Sequence, residues 1–388
     1  MSRKKIIILT SRYPFPLDKG DKLRIYHQIK NLSIVHDIYL ISINTESPIQ
    51  KHKIKELKKF CKEVHVLNTD SFTILFNTLK SFIIKEPLQV GYFYSKKNQS
   101  KINKIIKKIR PDWVFSQLIR TSKYLAKYEN NIIDYMDTMS KGIERRISNF
   151  PKIIQPLINH EFHITKKYEN YIFDKFKKHT IITKNDQQYI SHKNNKIIQI
   201  IPNGVDTKFF KPNTEIQKKF DIVFIGNMSY PPNVEAATYL CKKILPLIEK
   251  QHKSCNILIG GTNPSNKVLS LRQKNIHISG WVEDIRDLYS LGRVFVAPMF
   301  IGTGLQNKLL EAMSMGIPCI TTDLANNALL ANKEQIITAN SKNEFANSCI
   351  KILKNKELYN KLRDNGLKFV KKTYDWKKIN NKLGELFN

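Results

Sequence analysis

The chain has 388 residues, with 65 Lys+Arg against 33 Asp+Glu and a formal net charge of +32. Its 41% hydrophobic and 10% aromatic content is enough for two packed cores and excludes a disordered chain. Of the basic residues only 11 are Arg, the Lys are spread along the chain, and there is neither zinc-finger spacing nor an RNP-like aromatic strand, so nucleic acid is not expected as a partner.

In chain order, residues 5–10, 37–43, 63–67, 112–116, 132–136 and 180–183 predict strands. Several are unbroken Ile/Val/Leu runs, as in a parallel sheet buried on both faces. Helical stretches at 21–33, 51–61, 98–109 and 158–177 alternate with them. Between these lie Phe72, Leu75, Phe76, Leu79, Phe82 and Ile83 at helical spacing, with Lys80 and Lys85 beside them. Two readings stay open for that segment: an amphipathic helix lying on an anionic membrane surface, or a helix packed on its own domain. Pro and Asn-Gly punctuation across 198–212 marks a junction. Beyond it, strands at 221–226, 255–260, 276–279, 293–298, 318–322 and 335–338 alternate with helices at 233–250, 283–291, 305–315, 343–354 and 356–372. The pattern predicts an α/β protein of two Rossmann-like doubly wound domains facing across a cleft. The expected bounds are 1–200, a hinge at 201–212, and 213–372, with a helix over 373–388 packing back on the first domain. No apolar run reaches the ~18–20 residues of a bilayer span, and the run at 6–9 is too short for a signal-peptide core. Cytoplasmic placement, free or peripheral on the inner face of the cell membrane, is therefore expected. Cys61, Cys241, Cys255, Cys319 and Cys349 have no metal-ligand spacing and predict buried free thiols.

Ligands of such sheets bind beyond the carboxyl ends of the strands. The most informative loop is Ala297-Pro-Met-Phe-Ile-Gly-Thr-Gly-Leu-Gln-Asn-Lys-Leu-Leu-Glu-Ala-Met-Ser-Met-Gly. Gly302 and Gly304 allow close backbone approach, and the N–H groups of Gly304, Leu305, Gln306 and Asn307 at a helix start favour an anion. Lys308 adds a positive charge, and Glu311, on the same face, can accept hydrogen bonds from sugar hydroxyls. The alternative is a plain connecting turn with an exposed Lys308/Glu311 pair worth ~0.3–0.5 kcal/mol. In the first domain Asp137 is a candidate base or acceptor-orienting carboxylate, or else a helix cap. Arg12, Tyr13 and Arg120, with Gln117, end other strands and are candidate acceptor contacts. No His pair has metal-like spacing, so neither a metal nor another cofactor is expected.

Five segments together resemble the family 4 (group 1) glycosyltransferases of GT-B fold, more particularly their exopolysaccharide-associated sugar transferases. They are Ser11-Arg-Tyr-Pro-Phe-Pro-Leu-Asp-Lys-Gly-Asp-Lys-Leu-Arg, Pro87-Leu-Gln-Val-Gly-Tyr-Phe, Ile201-Pro-Asn-Gly-Val-Asp, Gly280-Trp-Val-Glu-Asp-Ile-Arg and Leu310-Glu-Ala-Met-Ser-Met-Gly. The resemblance covers nearly the whole chain. It implies a nucleotide-sugar donor with its base near Val282, its ribose on Glu311 and its diphosphate over 304–308. Gly20 would near the diphosphate, with Lys22 (and Lys19 and Arg24) as further cations, and Gly226 and Asn227 would border the donor. The family's first motif Glu is replaced here by Thr303, leaving a hydroxyl or the amides of 302–305 for the donor sugar. The loop at 226–233 also lacks the Arg and Lys that the family often places there. The candidate catalytic residues are Thr303, Lys308 and Asp137. The implied activity is sugar transfer, with retention, to a hydroxyl of a glycan or lipid-linked acceptor in cell-surface polysaccharide assembly. The alternative is a non-catalytic or differently acting GT-B-like protein, such as a sugar-nucleotide epimerase or a glycan-binding partner.

Overall fold

The computed structural model describes residues 3–46, 48–302 and 304–388. It divides into two compact units, Met1–Pro202 with Ile379–Asn388, and Asn203–Lys378. In the first unit the apolar runs form β1 Lys5–Thr10, β2 Asp37–Asn44, β3 Cys61–Asn68, β4 Trp113–Gln117, β5 Asn131–Asp134, β6 Lys178–Ile181 and β7 Gln199–Ile200. These pair in parallel in the order β3-β2-β1-β4-β5-β6-β7. Ile8 stands opposite both Leu40 and Phe115, and all three are buried. Helices on both faces leave no solvent side to the central strands, which is why they show apolar runs rather than alternation. The closing segment packs here too: the Phe387 ring lies 6.3 Å from Trp113 and 6.2 Å from Phe115.

The second unit repeats the plan with β8 Phe220–Ile225, β9 Ile257–Gly260, β10 Ile276–Ile278, β11 Gly292–Ala297, β12 Cys319–Thr321 and β13 Ile337–Thr338. Its parallel order is β10-β9-β8-β11-β12-β13. In each sheet the strand order reverses once, between β1 and β4 and between β8 and β11, and a crevice opens at such a point. All five cysteines are buried and free.

Several helix bounds differ from the sequence expectation, as where 51–61 ends at Lys58 and 158–177 is Gln155–Phe173, and two differences have a local cause. The helix expected at 233–250 runs Pro231–Tyr239, widens into a π-type turn at Leu240–Ile244 and resumes at Leu245–Glu249. Pro246 explains the widening, because it has no N–H and its ring crowds the preceding turn. The helix expected at 305–315 is Asn307–Ser314. Gly302 at φ +97° and the extended Gln306 hold the preceding residues in a lead-in, so Gly304 and Leu305 are not part of its first turn.

Candidate active site

In the second unit, glycines at the ends of β8 and β9 set the geometry. Gly261 has φ +123°, and a Cβ there would lie 1.9 Å from the Gly226 carbonyl oxygen. A Cβ on Gly226 would lie 2.7 Å from Asn233 Nδ2. Only glycine fits either place. Asn233, buried in the first turn of Pro231–Tyr239, donates from Nδ2 to the Asn227 carbonyl (2.9 Å). Its Oδ1 accepts from Lys308 Nζ at 2.6 Å. The ammonium also reaches Gln306 Oε1 (3.4 Å) and lies 5.6 Å from the centre of the Phe224 ring. Thus the elements following β8 and β11 are tied together at the switch point of this sheet. Burial lowers the Lys308 ammonium to about 8, opposed by the negative charge of Glu311.

Glu311 accepts a 2.7 Å hydrogen bond from the Tyr289 hydroxyl. Burial pushes its carboxyl up, while Tyr289 and Lys308 pull it down. Both Lys308 and Glu311 keep part of their surface open. Each has its own partner, so the exposed Lys308/Glu311 pair of the plain-turn alternative is not what forms.

The other donor-side candidates fall as follows. Asn307 begins the helix and its Oδ1 accepts from Asn203 Nδ2 (3.3 Å). Gln306 folds back, donating to the Gly304 carbonyl (3.0 Å). A Cβ on Gly302 would meet Gln306 Nε2 at 3.8 Å. Leu305 and Val282 are half-buried, and Trp281, beside Gly280 at φ +71°, is exposed. Asn227 turns its Oδ1 onto Ser229 N–H and Oγ, closing the loop after β8. Thr303 lies outside the described residues. Sequence reasoning missed Asn233 as the Lys308 anchor and Tyr289 as the Glu311 partner. Neither carries a local signal, since each acts 75 or 22 residues along the chain.

In the first unit, the loop cations are neutralised. Arg12 pairs with Asp21 (3.0 Å), Lys19 with Glu46 (3.8 Å) and Lys22, almost buried, with Asp18 (3.0 Å). The expectation that Arg24 faces a diphosphate fails. Its guanidinium is fully buried, holding Asp134 with Nε–Oδ2 2.7 Å and Nη2–Oδ1 3.1 Å, and Thr180 donates to the same carboxylate (2.8 Å). Gly20 opens the helix Gly20–Val35 with nothing around its missing Cβ. Tyr13 is buried and its hydroxyl donates to the Lys53 carbonyl (3.2 Å), so it walls a cavity of about 300 Å³ rather than offering its hydroxyl to a ligand. Gln117 donates to the Asp21 carbonyl (2.7 Å) and fixes the loop to β4.

Arg120 and Asp137 stand apart. Leu118 (φ +65°) and Met136 (φ +62°), at the ends of β4 and β5, are both left-handed. At Met136 the Asp137 N–H bonds the Tyr135 carbonyl at 2.8 Å, a tight three-residue turn that non-glycine residues adopt only under strain. Thr138, not Asp137, is the N-cap of Met139–Glu144, so the cap alternative is not realised. Among the described residues the Asp137 carboxylate has no ion-pair partner. It is pushed up to about 6, first by the surrounding protein and then by Asp186, with Arg120 opposing. Its surface remains open to solvent, so it lies at an accessible spot walled by protein. Arg120 lies 5.5 Å over the Phe93 ring, and among the described residues its buried Nε has no hydrogen-bond partner. Behind them Glu169, another residue without a sequence signal, accepts from Ser140 N–H (3.1 Å) and Oγ and is pushed up to about 7 by burial. Among the described residues no group of three metal-ligating side chains is present.

Residues 219–355 match the family model described as glycosyl transferases group 1. Those residues carry a glycosyl transferases group 1 domain, and the chain has the fold of GT-B glycosyltransferase structures. It is 25% identical over 403 residues to a 44.6 kDa protein in the cps region of Klebsiella pneumoniae, covering 97% of each chain. It is also 26% identical to the Escherichia coli UDP-Gal:alpha-D-GlcNAc-diphosphoundecaprenol alpha-1,3-galactosyltransferase over 186 residues, 42% of this chain and 46% of that one. A glycosyltransferase structure from Rickettsia africae superposes with TM-score 0.68 at 18% identity, covering 100% of this chain and 98% of that one. The Anabaena protein HepE in complex with UDP and glucose superposes with TM-score 0.66 at 13% identity over 99% of both chains. Among the described residues no helix is long and apolar enough to cross a membrane.

Proposed function

We propose that the chain transfers a sugar from a nucleoside diphosphate, with retention, to a hydroxyl of a glycan or lipid-linked acceptor in cell-surface polysaccharide assembly, on the cytoplasmic side of the membrane. The observation that carries this reading is the Lys308 ammonium held by Asn233 across the β8/β11 switch point, one turn before Glu311. Lys308 and the first amides of Asn307–Ser314 would face the diphosphate, where a leaving group gains negative charge. Glu311, steadied by Tyr289, would accept from the ribose hydroxyls, and the base would lie against Val282 and Trp281. Asp137 and Arg120 would orient the acceptor hydroxyl and its neighbouring polar groups. The likeness to the Escherichia coli galactosyltransferase supports a UDP-sugar and a diphosphate-linked lipid acceptor. No metal is required, because Lys308 and the helix start supply the positive charge. The test is to incubate the purified chain with UDP-galactose, UDP-glucose and UDP-N-acetylglucosamine and follow UDP release. At least one donor should be consumed; release from none of them refutes the reading. The anomeric configuration of the product, read by NMR, tests retention.

A further inference from the structure

The helix Ser71–Ile83 is turned inside out. Its polar side faces the protein: Ser81 is buried and Asn77 Nδ2 donates to the Tyr94 carbonyl at 2.8 Å. Its apolar side faces solvent, with Phe72 79% exposed, Phe76 59%, Leu79 58% and Ile83 77%. The orientation is fixed by packing. A Cβ on Gly91, in the helix Leu88–Phe93 beneath it, would lie 1.9 Å from Ser81 Oγ and 2.8 Å from the Asn77 carbonyl oxygen, so the glycine lets the Ser81 and Asn77 side of the helix press onto it. Asp70 caps the helix by accepting from Thr73 N–H (2.8 Å), and the segment is ordered by its own ends as well. This decides between the two readings that the sequence left open: the apolar stripe does not pack on its own domain.

A second apolar element joins it. The Phe82 ring lies 6.3 Å from His160, on the helix Gln155–Phe173, and that helix is entered through Ile153, which is 90% exposed, and Leu157. Lys85, His160, His163 and Lys167 line a shallow depression alongside. The face thus combines bulky apolar side chains with a basic margin, on a chain of net charge +32. Those two features together match an anionic bilayer, where apolar groups enter the headgroup boundary and Lys side chains meet lipid phosphates.

We propose that this face is a membrane-docking surface, with Phe72, Phe76, Leu79 and Ile83 as wedges and Lys85 and Lys167 as phosphate contacts. It rests on the proposed function only for its purpose, bringing the enzyme to lipid-linked acceptors; the binding itself needs no substrate. The test uses the full chain and flotation with vesicles of phosphatidylcholine plus phosphatidylglycerol, against phosphatidylcholine alone. The wild type should float with the anionic vesicles. Phe76→Asp with Leu79→Asp should lower partition by at least about tenfold, and Lys85→Glu with Lys167→Glu should abolish the preference for anionic lipid. Thermal melts and detergent-solubilised UDP release should stay at wild-type level in both variants. If the aspartates unfold the chain, Phe76→Ser with Leu79→Ser carries the same comparison. Wild-type flotation by a folded wedge variant overturns the proposal. So does a wild type that never floats, including one that forms a dimer which the wedge variant dissociates. A chain that floats but releases no UDP would refute the enzymatic reading and leave the docking surface standing.

Discussion

Lys308 offers the sharpest test of the donor crevice. In the free protein its ammonium is lowered to about 8 by burial, with hydrogen bonds to Asn233 Oδ1 at 2.6 Å and Gln306 Oε1 at 3.4 Å. Relative to the ordinary value of 10.5, that is about 3 kcal/mol in favour of the neutral amine. A diphosphate within reach reverses the balance, since one opposite charge at 4 Å is worth up to about 4 kcal/mol at the effective dielectric near a protein surface. The protonated form is the one that binds, so kcat/KM should fall as pH rises through about 8. In kcat, which reports the donor complex, the same limb should move to higher pH. Calorimetric titration with UDP near pH 8 should register proton uptake. Lys308→Met should lower turnover by about 10²-fold, the scale of losing one preorganised electrostatic contact, and should remove the alkaline limb. A wild-type profile flat from pH 7 to 9, or a Lys308→Met enzyme with wild-type turnover, would refute the placement of the diphosphate on Lys308.

Four further variants test the geometry. Glu311→Gln should weaken UDP binding by about tenfold with a smaller change in kcat, and Tyr289→Phe should weaken it less while lowering stability by about 1 kcal/mol; calorimetry and denaturant titration read both. Asp134→Ala should destabilise the first unit by about 3–5 kcal/mol, because it strands the buried Arg24 guanidinium, with UDP affinity unchanged. Asp137→Asn should cut transfer to acceptor by about 10²-fold and leave UDP binding intact; with the carboxyl at about 6, wild-type transfer should decline as pH falls through that value, since the carboxylate is the working form.

The sheets were legible because burial on both faces leaves unbroken apolar runs such as Ile6, Ile7, Ile8 and Leu9, which no other element explains as well. Lys308 and Glu311 were legible as one face of one helix, a property of spacing alone. What those residues touch was not. Asn233 and Tyr289 reach them only because β8 and β11 are neighbours, and strand order is a long-range fact with no local trace. Arg24 shows the same limit. A cation in a basic loop looks free until β5, 110 residues away, brings Asp134 beneath it. The helix Ser71–Ile83 shows it in reverse: periodicity gives an apolar stripe but not the direction it faces, and the Ser81–Gly91 approach decides that.

The pairing of the first-unit cations bears on where catalytic charge can come from. Arg12, Lys19, Lys22 and Arg24 each meet a carboxylate, closely and fully buried only for Arg24 with Asp134. The loop after β8 contributes Asn227, Ser229 and Asn233 but no cation. At the β8/β11 switch point Lys308 brings an ammonium that Asn233 orients without neutralising it. A partly desolvated ammonium suits this task. In the proposed reaction it would gain most from a leaving diphosphate whose charge grows along the path, so its contribution would fall on the transition state as well as on donor binding.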